Sequence, residues 1–178
     1  MSGYLFTSER LGFRNWTLSD LDAYTEITTD HDVMKYFPSI SNRELTEKFI
    51  IRMQEQHSKT GFCYFAVERL DEKKLIGFIG LCEQTYDSHF TPCVDIGWRL
   101  KKSEWGKGLA TEGAKRCLDF AFEIKNLHKI YAVASEINLA SIAIMKKIGM
   151  TYHSTFDHSL LLENSRIKSC VLYVKEWI

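Results

Sequence analysis

The sequence predicts a single α+β domain over residues 1–178, built on a mixed, mostly antiparallel sheet with helices on both faces. Three observations carry that prediction. A strand-like run at 94–100, a helical pattern at 108–125 and a short strand at 129–134 form a βαβ unit, whose strands are parallel neighbours. The other strand-like runs flank this unit and are joined by short links, which favours antiparallel pairing. A length of 178 residues with 45% hydrophobic content suits one domain with a substantial core.

Taken in order, residues 4–14 read as a first strand. Ser19-x-x-Asp22 reads as a helix start with Ser19 as the N-cap. Ser41-x-x-Glu44 has the form of a capping box. It opens a helix with Leu45, Phe49, Met53 and His57 along one face. Runs 62–70 and 75–82 are strands joined by the charged link Asp71-Glu-Lys-Lys74, an antiparallel hairpin. A loop at 83–92 precedes the strand 93–100. Asn126 follows the helix 108–125 as a left-handed C-cap. Asn138 caps a further helix that Gly149 ends, and runs 151–157 and 168–176 pair as a hairpin across the loop 158–166. Only 2 prolines and 10 glycines punctuate the chain, and it carries no repeat or low-complexity linker that would divide it.

Composition narrows the function. Formal net charge is zero, from 23 basic and 23 acidic residues without a basic tract, so direct nucleic-acid binding is not expected. No apolar run reaches the ~18 residues of a membrane span, and the N-terminus lacks a signal-peptide layout. The 5 cysteines are odd in number and show no C-x-x-C spacing, which points to free thiols in a reducing cytosol and against a zinc site or disulfide framework. The expectation is a cytoplasmic protein, monomeric or homodimeric.

The most informative segment is Trp105-Gly-Lys-Gly-Leu-Ala-Thr-Glu-Gly113, between the strand Val94-Asp-Ile-Gly-Trp-Arg-Leu100 and a helix. Two glycines one residue apart let the backbone turn tightly and approach a ligand. The first N–H groups of the helix lack internal partners, and the positive end of its dipole favours a phosphate or pyrophosphate. Lys107 adds a charge at the rim. Neither the Walker pattern nor G-x-G-x-x-G is present, since position 111 is Thr.

The stretch Trp105-Gly106-Lys107-Gly108-Leu109-Ala110 resembles the acyl-CoA loop of the GNAT superfamily of N-acetyltransferases, Gln/Arg-x-x-Gly-x-Gly/Ala, with Trp in the first position. That Trp resembles the RimJ/RimL-type branch, named for ribosomal-protein N-terminal acetyltransferases. The resemblance spans nearly the whole chain. Thr7-Ser-Glu-Arg-Leu-Gly-Phe-Arg14, Leu75-Ile-Gly-Phe-Ile-Gly-Leu81 and Asp95-Ile-Gly-Trp-Arg-Leu100 are similar to the family's first, third and fourth strands. Asn138-Leu-Ala-Ser141 with Met145-Lys-Lys-Ile-Gly-Met150 is similar to its Asn-x-x-Ser helix. It implies the GNAT fold, with the parallel pair splayed so that the pantetheine arm of acetyl-CoA enters between the strands.

The resemblance also implies site residues. Backbone groups of Trp98 and Leu100 would pair with the pantetheine, and amides of the 105–111 loop (Trp105, Gly106, Lys107, Gly108, Leu109, Ala110, Thr111) would hold the pyrophosphate. Trp98 and Leu100 are equally ordinary core strand residues. Asn138 either caps its helix or reaches the cofactor. Ser141 is a helix-surface serine or the group that protonates the leaving sulfur, because no Tyr lies between Tyr131 and Tyr152. For the base that deprotonates the acceptor, Asp95 is the first choice, with Glu68 and Glu83 as competitors. Phe37, in Tyr36-Phe37-Pro38, and His89, before the Asp95 strand, are candidates to line the acceptor pocket. No metal-ligand spacing occurs among the 6 histidines, and the chemistry needs no metal.

The reading is an acetyl-CoA-dependent N-acetyltransferase working by direct transfer in a ternary complex, since no cysteine carries a nucleophile signature. The acceptor is a protein N-terminal α-amine. The alternatives are the same chemistry on a small-molecule amine (polyamine, amino acid, aminoglycoside) and a non-catalytic acyl-CoA-binding module.

Overall fold

The computed structural model describes residues 3–164 and 166–177, so residues 1 and 2 of the N-terminal stretch and residue 165 of the 158–166 loop lie outside the described residues. The elements run β1 (Phe6–Thr7), β2 (Leu11–Arg14), α1 (Leu21–Thr28), α2 (Arg43–Thr60), β3 (Tyr64–Arg69), β4 (Lys74–Gln84), β5 (Cys93–Leu100), α3 (Leu109–Asp119), β6 (Lys129–Ser135), α4 (Leu139–Lys147), β7 (Thr151–Asp157) and β8 (Ser169–Glu176). The strands form one 8-stranded sheet in the order β1-β2-β3-β4-β5-β6-β8-β7. Every pairing is antiparallel except β5 with β6. This is the mixed, mostly antiparallel sheet that the sequence predicts, with the one parallel pair that the GNAT resemblance implies.

The parallel pair is splayed. β5 and β6 register only at Asp95 with Tyr131, whereas β5 registers along its whole length with β4, and β6 along its whole length with β8. Each strand has its stable partner on the far side, so the gap between them opens without leaving either strand unsupported.

Strand alternation assigns the two faces. Phe78, Arg99, Gly97 and Asp95 share one face through the β4–β5 register, and Ile79 and Trp98 share the other. The helices α1 and α2 cover the first face. Tyr24 and Phe49 pack on Phe78 with ring centroids 6.5 and 5.7 Å apart. The helix α3 covers the second face. A Cβ on its Gly113 would stand 2.3 Å from Ile79 Cδ1, so glycine sets how closely the helix approaches the sheet. α4 packs beside α3 and β6. Under α3 lies a buried aromatic group in which Phe6 stacks between Phe13 and Phe120, at 4.6 Å from each, with Phe65 edge-on. Such pairs each contribute about 0.5–1.5 kcal/mol beyond area burial.

Several boundaries differ from the sequence expectation. The first strand is two, β1 and β2, folded into a hairpin whose turn is anchored by Glu112 of α3. Glu112 accepts from Ser8 Oγ, Arg10 N and Arg10 Nε at 2.7–2.8 Å. Ser19 is not a cap. Thr17 caps a 3₁₀ turn, Leu18–Asp20, that leads into α1, and its N–H bonds the Asp20 carboxylate at 2.9 Å. The cap of α2 is Asn42, whose side chain accepts from Leu45 N at 2.8 Å, one residue beyond the expected Ser41. The buried line of α2 is Thr46, Ile50 and Met53, while Leu45 is 48% exposed. A hydroxyl pair, Thr28 to Thr46 at 2.9 Å, fixes that rotation against α1. The helix 108–125 is α3 followed by a π-helical turn, Phe120–Ile124. Asn126 is left-handed as expected, at φ 52°.

Candidate active site

The glycine loop joins β5 to α3. Gly106 and Gly108 have φ of 74° and 78°, a region costly to residues with a Cβ, and the space beside Gly106 is open to 4 Å. Glu112 N–H is the first to bond back, to Gly108 O at 3.0 Å. The N–H groups of Leu109, Ala110 and Thr111 therefore have no acceptor within the helix. An exposed glycine turn opening onto free helical amides fits an anionic pyrophosphate.

Lys107 does not stand free at the rim: its ammonium lies 3.1 Å from Glu104, which also meets Arg69 at 3.3 Å. Arg10 is a second cation at the loop that sequence reasoning missed. Its Nη1 donates to Lys107 O at 3.0 Å. Trp105 is 47% exposed, and its indole N–H donates to Leu100 O at 2.9 Å, pinning the loop to the end of β5.

Lys101 N–H bonds Ile76 O of β4 at 2.8 Å. Alternation then turns the backbone groups of Trp98 and Leu100 toward the splay. The Leu100 carbonyl is taken by Trp105, which leaves its N–H and both groups of Trp98 for an added strand. Across the gap, Asn138 Oδ1 accepts from Ser141 N at 3.2 Å, capping α4. The cap uses only the carbonyl, so the Asn138 NH₂ remains available. Ser141 is half-buried.

Asp95 sits at the point where β5 and β6 diverge, 8% exposed. Tyr64 OH donates to Oδ1 at 2.6 Å and Gln84 Nε2 to Oδ2 at 3.1 Å; Gln84 also donates to Tyr64 OH at 3.0 Å. Burial pushes the carboxyl up to about 6, against the opposing pull of those two hydrogen bonds. Burial and the neighbouring Asp95 charge hold Tyr64 well above the usual phenol value, so it remains a donor. The two bonds occupy about two of the roughly four lone-pair sites of a carboxylate. The result is a held carboxylate that retains acceptor capacity and takes up a proton well above the ordinary carboxylate range, at about 6. Tyr64 and Gln84 were not found from sequence. Parity across the β3–β4–β5 registers, which puts them on the Asp95 face, is the signal that identifies them.

The competing bases are placed differently. Glu68 is bound by Tyr4 OH and by Arg14 Nε, both at 2.7 Å, at the β2–β3 side of the sheet. Glu83 is exposed and points to the face opposite Asp95. Phe37 is half-buried, with the Arg99 guanidinium 3.9 Å from its ring centroid. His89 is exposed and tied to β7 through Phe156 and Ser154, with no described hydrogen bond to Tyr64, Gln84 or Asp95.

All 5 cysteines are free, and four are buried. Burial raises every one, with Cys82, Cys93 and Cys170 pushed up to about 12. Such thiols are poor nucleophiles near neutrality. Among the described residues no cluster of three or more His, Cys, Asp or Glu side chains is arranged to hold a metal, and no helix is long and apolar enough to cross a membrane.

The sequence profile of the acetyltransferase (GNAT) domain matches residues 10–151. The chain belongs to the GNAT acetyltransferase family. An uncharacterized N-acetyltransferase, YnaD of Bacillus subtilis (strain 168), is 31% identical over 96% of this chain and 90% of its own length. The crystal structure of a GNAT-family acetyltransferase from Bacillus anthracis superimposes with a TM-score of 0.79 at 28% identity, covering 96% of each chain. More distant GNAT proteins take unlike amines. The spermidine N(1)-acetyltransferase of Escherichia coli (strain K12) is 25% identical over 85% of this chain and 80% of its own. RimL, a ribosomal-protein alpha-N-acetyltransferase solved with coenzyme A, shares the fold with a TM-score of 0.77 at 15% identity over 97% of both chains. The chain is thus an acetyl-CoA-dependent N-acetyltransferase, and the names of its relatives do not specify its acceptor.

Proposed function

We propose that this GNAT enzyme acetylates an α-amino group by direct transfer, with Asp95 as general base. The observation that carries the reading is the buried Asp95, held by Tyr64 and Gln84 at the mouth of the β5–β6 splay with its carboxyl raised to about 6. An α-amine, at about 7.7–8.0, gives up its proton to such a base more easily than a lysine amine at about 10.4. Asp95 takes the ammonium proton, directly or through one water. The amine lone pair then forms the N–C bond, the C–S bond breaks, the departing thiolate takes a proton from Ser141 or water, and the second proton of the nitrogen returns to that group as the amide forms. The glycine loop and the backbone edge of Trp98 and Leu100 hold acetyl-CoA beside the acceptor. The raised cysteines support transfer without an acetylated thiol.

This reading favours the ribosomal N-terminal type of acceptor over a polyamine and treats the chain as catalytic, not as a binding module. The test is free-thiol release from acetyl-CoA with peptides bearing free N-termini against peptides with blocked N-termini and one lysine. Faster reaction of the free N-termini is expected. Faster reaction of the blocked peptides would reverse the acceptor assignment, and no release with any amine would favour the module.

A further inference from the structure

We infer that the acceptor carries an anionic group at its far end, and that Arg99 in the pocket between α1, α2 and the loop that joins them binds it. The inference rests on the reading of Asp95 as the base.

Arg99 lies four residues along β5 from Asp95 and on the same sheet face. A continuous row of rings links the two positions. The Arg99 guanidinium lies 3.9 Å from the Phe37 ring centroid and 5.4 Å from that of Phe78. Tyr64 stacks on Phe78 at 4.6 Å and reaches Asp95 through its hydroxyl. Two aromatic rings thus flank the guanidinium. Its one described hydrogen bond is from Nη1 to Tyr24 OH, at 3.3 Å, and its buried Nε has none. Among the described residues no carboxylate lies within ion-pair distance of it. The cavity it faces has a volume of about 250 Å³; Arg52 is a second arginine in its wall, Thr28, Ser39 and Ser41 also line it, and among the described residues no acidic one does.

A planar donor fork, held beside aromatic rings and without a counter-ion among the described residues, matches a carboxylate or phosphate. A polyamine would instead bring positive charge against two arginines. Strand rise separates the base from the anion site by on the order of 10 Å. That exceeds the span of a free α-amino acid and suits a short peptide acid or an aminoalkyl phosphate.

The test measures kcat and KM for four acceptors: tri-alanine, tri-alanine amide, 6-aminohexyl phosphate and spermidine. Wild type is expected to favour tri-alanine over its amide by about 10–100-fold in kcat/KM, carried by KM. In Arg99→Met that ratio falls toward one, and Arg99→Lys keeps part of it. A further gain with 6-aminohexyl phosphate assigns phosphate as the better anion; a preference for tri-alanine assigns carboxylate. Equal acid and amide rates in wild type, or faster reaction of spermidine, would overturn the inference while leaving Asp95 as base. Calorimetric titration with N-acetyl-tri-alanine and its amide reads the pocket without turnover. Arg99-dependent binding of the acid with no turnover would sustain the anion site and overturn the catalytic reading. Absence of both overturns both.

Discussion

A carboxylate at position 95 works against the stability of the protein that contains it. Its folded value, about 6, lies above the ordinary 3.8, so the protonated form is the better-buried one. The linked stability is fully present below the unfolded value and is lost as pH rises through about 6. Asp95→Asn removes that dependence. The difference in unfolding free energy between Asp95→Asn and wild type should therefore shift in favour of the variant by on the order of 2 kcal/mol between pH 4 and pH 7. Denaturant melts at the two pH values measure it, and a difference that does not change with pH would place Asp95 in a more solvated setting. Ser141 differs because a hydroxyl does not titrate in this range. Ser141→Ala should lower kcat by roughly 10²-fold or more if the hydroxyl protonates the leaving sulfur. It should leave the pH limb of the rate unmoved, and an unchanged kcat would assign that proton to water.

At the scale of elements, β5 serves three purposes at once because strand geometry separates them. One face carries Asp95 and Arg99, the other packs Trp98 toward α3, and the edge offers backbone groups to the splay. The loop that follows is fixed at one end by Trp105 on Leu100 and at the other by Arg10 on Lys107. Gly108→Val places a branched residue at φ 78° and a side chain against the amides. It should destabilise the fold by about 1–2 kcal/mol and weaken acetyl-CoA binding by more than about tenfold, read by calorimetry. Equal affinity would remove the loop from the cofactor site. Strands and hairpins were legible because their periodicity survives any local choice. Caps were less so: Thr17, Ser19, Ser41 and Asn42 are all competent acceptors, and tertiary packing selects among neighbours. The split of the first strand was not legible, since its anchor, Glu112, lies about a hundred residues away in sequence.

For the whole molecule, the decisive feature is a sheet divided by a single registered pair between β5 and β6. The βαβ unit was readable from the chain, and the splay only through a family resemblance. The Tyr64–Gln84–Asp95 group and the stacked Arg99 depend on registers that join three strands, so no local pattern announces them. A ligand bridging the divided sheet binds the folded state alone. Acetyl-CoA at about 100 times its Kd should add about 2.7 kcal/mol, or roughly 5–10 °C in melting temperature. Thermal melts with and without acetyl-CoA check this, and an unmoved melting temperature would contradict binding in the splay.

The most direct test of the account is the pH–rate profile of wild type and Asp95→Asn with a free-N-terminal peptide acceptor at saturating acetyl-CoA. Wild-type kcat should rise as pH increases through about 6, where Asp95 becomes ionised and able to take a proton. Asp95→Asn should bind acetyl-CoA as wild type does, lose roughly 10²–10⁴-fold in kcat, and lack that acidic limb. A variant that retains both its rate and its limb would show that Asp95 is not the base.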